Sequence, residues 1–211
     1  PWDSVIPLDA LWMEYKRIIK PAGAIVLFAQ TPFDKVLGAS NIEMLKYEWI
    51  IEKTKATSFY NSKKAPLKAH EKILIFYKKC PVYNPQMTDG HPPVHRFTHT
   101  EYSAGKCYGA GKGYVGGGST LRFPRDVLKF KWDTQKSAVH TTQKPIALLE
   151  YFVKTYTNPG DIVLDNCMGS GGAGVACLNT RRKFIGMELL PDIYNLAVER
   201  IEKSLKEHCY V

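Results

Sequence analysis

Long apolar runs and paired cysteines are both missing from this sequence. No stretch approaches the ~20 consecutive apolar residues that a membrane-spanning helix needs, so we expect no contact with a membrane. The chain has only five cysteines, an odd number, and none of them forms a C-x-x-C pair. This pattern argues against a disulfide framework and a zinc site, and it favours a protein of the reducing cytoplasm.

Two patterns that would point to other chemistry are also absent. The P-loop sequence G-x-x-x-x-G-K-[ST] does not occur, although the middle of the chain is rich in glycine, so a P-loop ATPase is excluded. His91, His95 and His99 recur every four residues, but Pro92 and Pro93 exclude the helix that would bring them together. We therefore expect no metal site.

Length and charge indicate one domain with a basic middle. A chain of 211 residues with 45% hydrophobic residues fits one domain, or one domain with a sizeable insertion. Residues 53–144 hold 17 Lys and Arg against 5 Asp and Glu, whereas the remainder holds 12 against 15. This distribution favours a polyanion-binding surface on one segment, and a solvated lysine-rich surface is the alternative.

Apolar periodicity predicts alternating helices and strands. Helical patterns cover residues 8–19, 32–44, 145–156, 172–179 and the segment from Pro191 onward. Apolar runs predict strands over residues 24–29, 47–51, 72–77, 161–165 and 183–187. Between the second and third strands, residues 53–71 are predicted to form a lysine-rich loop. The alternation indicates an α/β domain with a mostly parallel central sheet.

Residues 80–137 differ in composition from the rest. They contain eight of the 16 glycines and five prolines, so we expect little regular structure across most of them. A loop of this length inside a compact domain is usually functional or disordered. We therefore divide the chain into a core, residues 1–79 and 138–211, and a basic glycine- and proline-rich insert, residues 80–137.

The most informative stretch is the segment 165–171, with the sequence DNCMGSG. It follows an apolar run and precedes small residues, which predicts a strand, a tight turn and a helix start. Small residues let backbone N–H groups approach a ligand closely, and the helix N-terminus adds a partial positive charge. Glu188 lies 23 residues after Asp165, at the end of the next apolar run, where an acid can hold ribose hydroxyls. Together these features predict a nucleoside-cofactor pocket.

Residues 169–174 also match the dinucleotide pattern G-x-G-x-x-G, but two features favour S-adenosylmethionine over NAD. A carboxylate at Asp165 suits the cationic sulfonium and amino groups and suits a pyrophosphate poorly. Only 23 residues follow Glu188, fewer than a dinucleotide fold would need at this point. A glycine-rich turn without any ligand is the alternative. Because three predicted strands precede the predicted cofactor-binding segment, the order of motifs looks circularly permuted relative to a nucleotide-binding fold that starts with its glycine turn.

These residues resemble the DNA amino-methyltransferases of the N6-adenine/N4-cytosine type, in the permuted (β-class) arrangement. The resemblance spans most of the chain and is strongest in residues 140–145 (HTTQKP), 158–160 (NPG) and 161–171. Residues 70–71 (HE) and 122–128 are also similar to members of that family. The resemblance implies a Rossmann-like, S-adenosylmethionine-dependent methyltransferase fold with a mostly parallel central sheet and a circularly permuted motif order.

The resemblance also implies how the cofactor is held. Asp165 and the turn glycines would line its methionine moiety, residues 142–144 would contact its carboxylate or the nearby backbone, and Glu188 would hold the ribose, with Leu189 against the adenine. The predicted cofactor-binding residues are Thr142, Gln143, Lys144, Asp165, Asn166, Cys167, Met168, Gly169, Ser170, Gly171, Glu188 and Leu189. Because no base partner for Cys167 is evident, we expect a small packed residue there rather than a nucleophile.

The family's catalytic tetrapeptide, Asp/Asn/Ser-Pro-Pro-aromatic, does not occur in this chain. It should precede the first helix, and the chain begins at Pro1 rather than methionine, so we expect the motif upstream and name no catalytic residue. Adenine N6 is preferred as the target on family frequency alone, with cytosine N4 as the alternative. An RNA or small-molecule methyltransferase and a non-catalytic DNA-binding relic are further hypotheses; the basic insert argues against small molecules, and retention of both acids argues against a relic. We expect this chain alone to bind the cofactor weakly and not to methylate.

Double-stranded DNA is the expected partner, and the insert takes the place of the family's target-recognition segment. The candidate phosphate contacts are Lys63, Lys64, Lys106, Lys112, Arg122, Arg125 and Lys136. Tyr102, Tyr108 and Tyr114 could stack on bases or fill a local core, and the sequence favours neither. A homodimer is one option for the oligomeric state, and the sequence identifies neither a restriction endonuclease partner nor a recognition sequence.

Overall fold

The computed structural model describes residues 5–100, 102–105, 109–111, 113–131 and 143–209, with side chains outside 101–112 and 208–209. The chain divides into two compact units. The core unit is Pro1–Asn84 together with Arg125–Val211, and the insert unit is Pro85–Pro124. The insert unit is shorter at both ends than the predicted insert 80–137, whose functional boundaries stay a prediction.

Helices and strands are interleaved along the chain. The helices are α1 (Leu8–Ile18), α2 (Phe33–Ser40), α3 (Ile146–Tyr156), α4 (Gly172–Asn179) and α5 (Pro191–Cys209). The strands are β1 (Ile25–Ala29), β2 (Leu45–Thr57), β3 (Lys68–Phe76), β4 (Phe97–His99), β5 (Tyr102–Gly105), β6 (Gly109–Gly111), β7 (Tyr114–Gly116), β8 (Val127–Phe130), β9 (Ile162–Asp165) and β10 (Lys183–Gly186). Among the described residues, no helix combines the length and apolarity that crossing a bilayer requires.

The predicted sheet needs one correction. A four-stranded sheet has the order β1-β3-β2-β8, and β9 and β10 form a separate parallel pair. β8 is parallel to β2, but β3 runs antiparallel to both β1 and β2. The sequence predicted a mostly parallel sheet and did not predict that β3 is antiparallel to its neighbours. The physical reason is the short connection 58–67 between β2 and β3, because such a connection closes a hairpin, whereas parallel neighbours need a longer crossover.

Apolar side chains pack on both faces of the four-stranded sheet. On one face, α1 and α2 bury Trp12 and Phe76 against β1 and β3. On the other face, α3 buries Phe152 against Trp49 and Ile73. Trp12 and Trp49 are both almost completely buried in this packing. The α/β class predicted from the alternating pattern is confirmed.

β2 and β3 form a hairpin that is longer than predicted. The strand predicted over 47–51 extends to Thr57, and the strand predicted over 72–77 begins at Lys68. The predicted loop 53–71 therefore shrinks to residues 58–67, which we name the hairpin tip and which contain a 3-10 turn at Phe59–Asn61. The apolar pattern missed the added strand residues because most of their side chains are polar or small and exposed.

The insert unit is built from short strand pairs. β4 pairs antiparallel with β7, and β5 pairs antiparallel with β6. Thr88 and Arg122 form an isolated antiparallel bridge. The guanidinium of Arg122 also donates to the carbonyls of Ser119, Leu121 and Pro92. These hydrogen bonds hold together a segment in which the composition predicts little regular structure.

Candidate cofactor site

The segment between β9 and α4 forms the tight turn that the glycines predict. Gly169 and Gly171 adopt positive φ values of 49° and 75°. Such a backbone disfavours residues with a Cβ. At Gly171 there is also no room, because an added Cβ would lie 3.0 Å from the Cβ of Ala197 on α5. Gly171 directly precedes the first residue of α4, Gly172, so the turn delivers the chain into the helix N-terminus.

Glu188 fixes this turn from the neighbouring strand. Its Oε2 accepts a hydrogen bond from the backbone N–H of Gly169 at 3.0 Å. Its Oε1 accepts from the backbone N–H groups of Leu189 at 2.9 Å and Leu190 at 3.1 Å. The bond from Gly169 holds the chain after β10 against the turn after β9, and the two local bonds fix the backbone that follows Glu188.

The two predicted acids lie at the same edge of the parallel pair. Asp165, the last residue of β9, pairs in register with Gly186, the last residue of β10. The backbone continues this pairing, since the N–H of Met187 donates to the carbonyl of Asp165 at 2.9 Å. Glu188 follows one residue later. The local βαβ connection therefore brings together the two acids that the sequence placed 23 residues apart.

Electrostatics at this edge favour a cation. Burial raises the pKa of Asp165, the nearby charge of Glu188 raises it further, and the N–H of Cys167, at 3.1 Å from Oδ1, opposes these effects. A carboxylate with a raised pKa carries a negative charge that its surroundings do not fully compensate. A positively charged group placed beside Asp165 would supply that compensation.

The sequence missed two residues that support the turn from distant helices. The hydroxyl of Tyr15 on α1 donates to Oδ1 of Asn166 at 2.9 Å. Burial and the neighbouring acidic groups raise the pKa of Tyr15 to about 12. Arg200 on α5 donates to the carbonyl oxygen and the hydroxyl of the buried Ser170 at 3.1 and 3.0 Å. In the sequence, Tyr15 belongs to an apolar helical stripe, and nothing there indicates that its hydroxyl reaches the turn.

Lys144 takes part in a buried ion cluster at the entrance to α3. Its Nζ lies 3.2 Å from Glu71 Oε2 and 5.5 Å from the ring centre of Phe28. Glu71 Oε1 is 2.8 Å from Nζ of Lys53 on β2. Burial alone would raise the pKa of Glu71, but the two lysines outweigh it and hold the pKa below its usual value. The predicted contact of Lys144 with a cofactor stays a prediction.

The start of α3 ties this ion cluster to the glycine turn. A Cβ on Gly172 would lie 3.1 Å from Cδ1 of Leu149 and 3.6 Å from Cδ1 of Ile146. Both side chains belong to the first turn of α3, immediately after Lys144. The ion cluster, the N-terminus of α3 and the glycine turn therefore occupy the same edge of the core unit.

The remaining predicted site residues have varied surroundings. Cys167 is exposed, which differs from the packed residue that we expected. Partial desolvation of its thiol and the negative charges of Asp165 and Glu188 raise its pKa. A raised pKa disfavours the thiolate, so a nucleophilic role gains no support. Met168 is buried, Leu189 is 91% exposed, and Thr142 lies outside the described residues. Gln143 directly precedes Lys144 and is half-buried.

The predicted DNA-contact residues also differ in their exposure and hydrogen bonding. Lys63, Lys64 and Arg125 are exposed, whereas the Arg122 guanidinium is bonded to backbone carbonyls. The other three predicted lysines, and two of the three tyrosines considered, lie where the structure does not describe side chains: Lys106, Lys112, Lys136, Tyr102 and Tyr108. Tyr114 is 57% exposed and its ring stacks on His99 at 5.5 Å. These DNA contacts stay predictions.

Three features at this edge are typical of α/β proteins that bind a nucleoside cofactor at a sheet edge. They are an acid at the end of one parallel strand, a glycine turn that leads into a helix, and an acid after the next strand. Within that class, the sequence matches the family model N6_N4_Mtase, described as DNA methylase, over residues 8–199. The chain belongs to this family. The resemblance and the fold that it implies are both confirmed.

Individual relatives agree with this assignment. The chain is 36% identical over 85 residues to the DNA adenine methyltransferase YhdJ of Escherichia coli (strain K12), an alignment covering 40% of this chain and 28% of YhdJ. The crystal structure of an M1.HpyAVI–SAM complex superposes with a TM-score of 0.63 at 26% identity, covering 95% of this chain and 84% of that one. The PvuII DNA methyltransferase (cytosine-N4-specific) shares the fold with a TM-score of 0.65 at 16% identity, covering 94% and 74%. The chain spans less than two thirds of the length of the curated relatives it matches.

Proposed function

We propose that this chain forms the cofactor-binding part of a DNA methyltransferase that transfers a methyl group from S-adenosylmethionine to an exocyclic amino group. The observation that carries the proposal is the meeting of Asp165 and Glu188 on either side of the glycine turn. Membership of the DNA methylase family supports the reaction class. The M1.HpyAVI complex with SAM supports the choice of cofactor.

The residues present suit this cofactor. The incompletely compensated charge of Asp165 fits the amino and sulfonium groups of the methionine moiety. Glu188 already accepts three backbone N–H groups, but a carboxylate offers about four acceptor sites, so capacity remains for a ribose hydroxyl. Gly169 leaves the backbone of the turn open to close approach, because nothing lies within 4 Å of the place that its Cβ would take. The missing Cβ of Gly171 instead lets α5 pack against the turn. The exposed side chain of Leu189 is available to cover the adenine.

The bound cofactor supplies an electrophilic methyl group. This chain's own part is then to orient that group by fixing the two ends of the cofactor, at Asp165 and Glu188. Correct positioning contributes most of the rate in an in-line displacement. The acceptors that would turn the target amino group toward the methyl group belong to the tetrapeptide, which residues 1–211 do not contain. We therefore expect the chain alone to bind cofactor without transferring methyl groups.

Adenine N6 is the proposed target and cytosine N4 is the alternative. The name of YhdJ, a DNA adenine methyltransferase, favours the first, and the name of the PvuII enzyme favours the second. The test is product analysis after reaction of a chain extended to carry the tetrapeptide. N6-methyladenine would support the proposal, whereas N4-methylcytosine would replace it with the alternative.

Calorimetric titration with S-adenosylmethionine tests the cofactor site directly. Asp165→Asn should weaken binding by roughly 10- to 150-fold, because it removes a charge-assisted contact of about 1.5–3 kcal/mol. Glu202→Gln is the matched control, since Glu202 is an exposed carboxylate on α5 and its loss should leave binding unchanged. Absence of heat and of any thermal shift with the unmodified chain would favour the relic hypothesis. Efficient transfer of labelled methyl groups by the chain alone would contradict the assigned division of roles.

A further inference from the structure

The hairpin tip exposes two adjacent aromatic side chains. Phe59 is 75% exposed and Tyr60 is fully exposed, at 102%. Leaving such rings in water forgoes the hydrophobic free energy that burial would provide. Neighbouring exposed aromatic residues therefore indicate a surface with a partner more strongly than scattered ones do.

The backbone of the tip is ordered by its own hydrogen bonds. Ser58 has a φ of 69°, a left-handed conformation that is uncommon for a residue with a Cβ. Its carbonyl accepts from the N–H of Asn61 at 2.9 Å. The carbonyl of Asn61 in turn accepts from the N–H groups of Lys64 and Ala65 at 2.8 and 2.9 Å. These bonds fix the turn that presents both rings outward.

The charge around the tip is entirely positive. Residues 53–70 contain five lysines and no acidic residue. Lys53 is buried against Glu71, but the other four are exposed: Lys55, Lys63, Lys64 and Lys68. Within the part of the chain that the structure describes, no carboxylate forms an ion pair with any of these four. Cations beside exposed aromatic faces are the combination that binds single-stranded nucleic acid, with lysines on phosphates and rings on bases.

The tip also projects from the edge of the core unit that carries the glycine turn. The tip follows the end of β2, four residues beyond Lys53. Glu71 forms ion pairs with both Lys53 and Lys144. Lys144 leads directly into α3, and Ile146 on the first turn of that helix packs beside Gly172. A substrate whose reacting group approaches the cofactor turn is therefore presented to the same edge as the two rings.

We propose that the hairpin tip binds DNA by stacking Phe59 or Tyr60 on an unpaired base while Lys63 and Lys64 contact the flanking phosphates. This inference rests on the proposed function, because it takes the partner to be the substrate DNA. It adds a base-stacking element outside the insert and outside the cofactor site. The charge of the tip and its position at the substrate edge favour DNA over a lipid surface.

The test is fluorescence anisotropy with two labelled duplexes that differ only in one unpaired adenine. The unmodified chain should prefer the duplex with the unpaired base, and the double variant Phe59→Ala/Tyr60→Ala should lose that preference, a change of roughly 5- to 150-fold for one stacked base. Tyr60→Phe should retain it if Tyr60 is the stacking residue, because the ring remains. Ile42→Ala is the matched control, since Ile42 is a 70% exposed apolar residue before the start of β2, at the opposite end of that strand.

The lysines should produce a different result from the rings. Lys63→Gln/Lys64→Gln should weaken binding to both duplexes equally and reduce the slope of log affinity against log salt by about two, one for each lost phosphate contact. An unchanged preference in the double aromatic variant would overturn the inference. So would an effect of that variant only on binding to vesicles containing phosphatidylserine.

Failure of this inference and failure of the proposed function give different results. If the unmodified chain binds S-adenosylmethionine and DNA and the aromatic variant binds both equally well, only the inference is overturned. If the unmodified chain binds neither duplex at low salt, DNA is not its partner and the inference falls with that part of the proposed function. Cofactor titration should be unchanged in the aromatic variant, which verifies that its fold is intact.

Discussion

The substitution Glu71→Gln should strongly destabilise the core unit. Glu71 and Lys53 have side chains that are each 8% exposed, and Lys144 is 27% exposed. The neutral variant would leave two ammonium groups close together with little water to solvate them. Removing one member of a buried ion pair typically costs about 3–5 kcal/mol.

We therefore expect Glu71→Gln to lower the free energy of unfolding by about 3 kcal/mol, or the Tm by roughly 6–12 °C for a chain of this size. Urea unfolding followed by circular dichroism measures the change. Glu52→Gln is the matched control, because Glu52 pairs with Lys129 at 3.1 Å with side chains 49% and 64% exposed. An exposed pair of this kind contributes only about 0–1 kcal/mol. Equal, small losses in both variants would refute the reasoning.

The pH dependence gives an independent check. Although burial would raise the pKa of Glu71, the two lysines hold it below the ordinary value of 4.5. A carboxyl group with a lowered folded pKa contributes stability that is present above its unfolded pKa and is lost as the pH falls through the folded pKa. The stability difference between the unmodified chain and Glu71→Gln should thus be constant near neutral pH and shrink below 4.5. A difference that grows in acid would contradict this assignment.

Three further substitutions test the turn. Gly171→Ala should lower the free energy of unfolding by about 1–3 kcal/mol, because it places a Cβ at positive φ and against Ala197; a neutral result in urea would show that the turn adjusts freely. Tyr15→Phe should lower the free energy of unfolding by about 0.5–1.5 kcal/mol, because the hydrogen bond to Asn166 is lost. In a double-mutant cycle with Asn166→Ala, the interaction energy between the two substitutions should be of similar size. Asp165→Asn should raise the Tm at neutral pH while weakening cofactor binding. The folded pKa of Asp165 is raised, so its destabilising effect appears as the pH rises from 3.8 through the folded pKa, and the gain in Tm should disappear in acid.

The glycine turn was predictable because its parts are local in sequence. A strand, a turn and a helix start fall within a few consecutive residues, and the second acid follows on the next strand of the same βαβ unit. Each element constrains the next through short connections, so the pattern of residues nearly determines the geometry. The same holds for the N-terminus of α3, where Pro145 precedes the first helical residue and does not need a backbone N–H.

Contacts between distant parts of the chain were not predictable. Tyr15 lies 151 residues from its partner Asn166, and Arg200 reaches back to Ser170 from the last helix. In the sequence, Glu71 is the last residue of the predicted loop 53–71, and its two lysine partners come from β2 and from the segment before α3. Such partners become apparent only when packing has placed the helices on the sheet.

The predictions of strand direction and of strand length failed for related reasons. An apolar run shows that a strand is buried but not which way it runs, so the antiparallel direction of β3 had to come from the short connection rather than from the run itself. Beyond Ile51, β2 leaves the packed part of the sheet and its residues become charged and exposed. The hairpin tip therefore resembled a lysine-rich loop, and the exposure of Phe59 and Tyr60 could not be inferred.

The two acids of the site have different roles, and this difference explains how the turn can form before any ligand binds. Glu188 accepts three backbone N–H groups, so its charge is used to fix the chain. Among the described residues, the carboxylate of Asp165 accepts one backbone N–H, from Cys167, and its raised pKa indicates a charge that still lacks compensation. Loss of the Glu188 carboxylate should therefore disturb the fold and the ligand site together, whereas loss of the Asp165 carboxylate should weaken ligand binding without destabilising the fold. A turn already fixed by Glu188 does not have to be ordered when the cofactor binds. The binding free energy gained at Asp165 is therefore not offset by the cost of ordering the site.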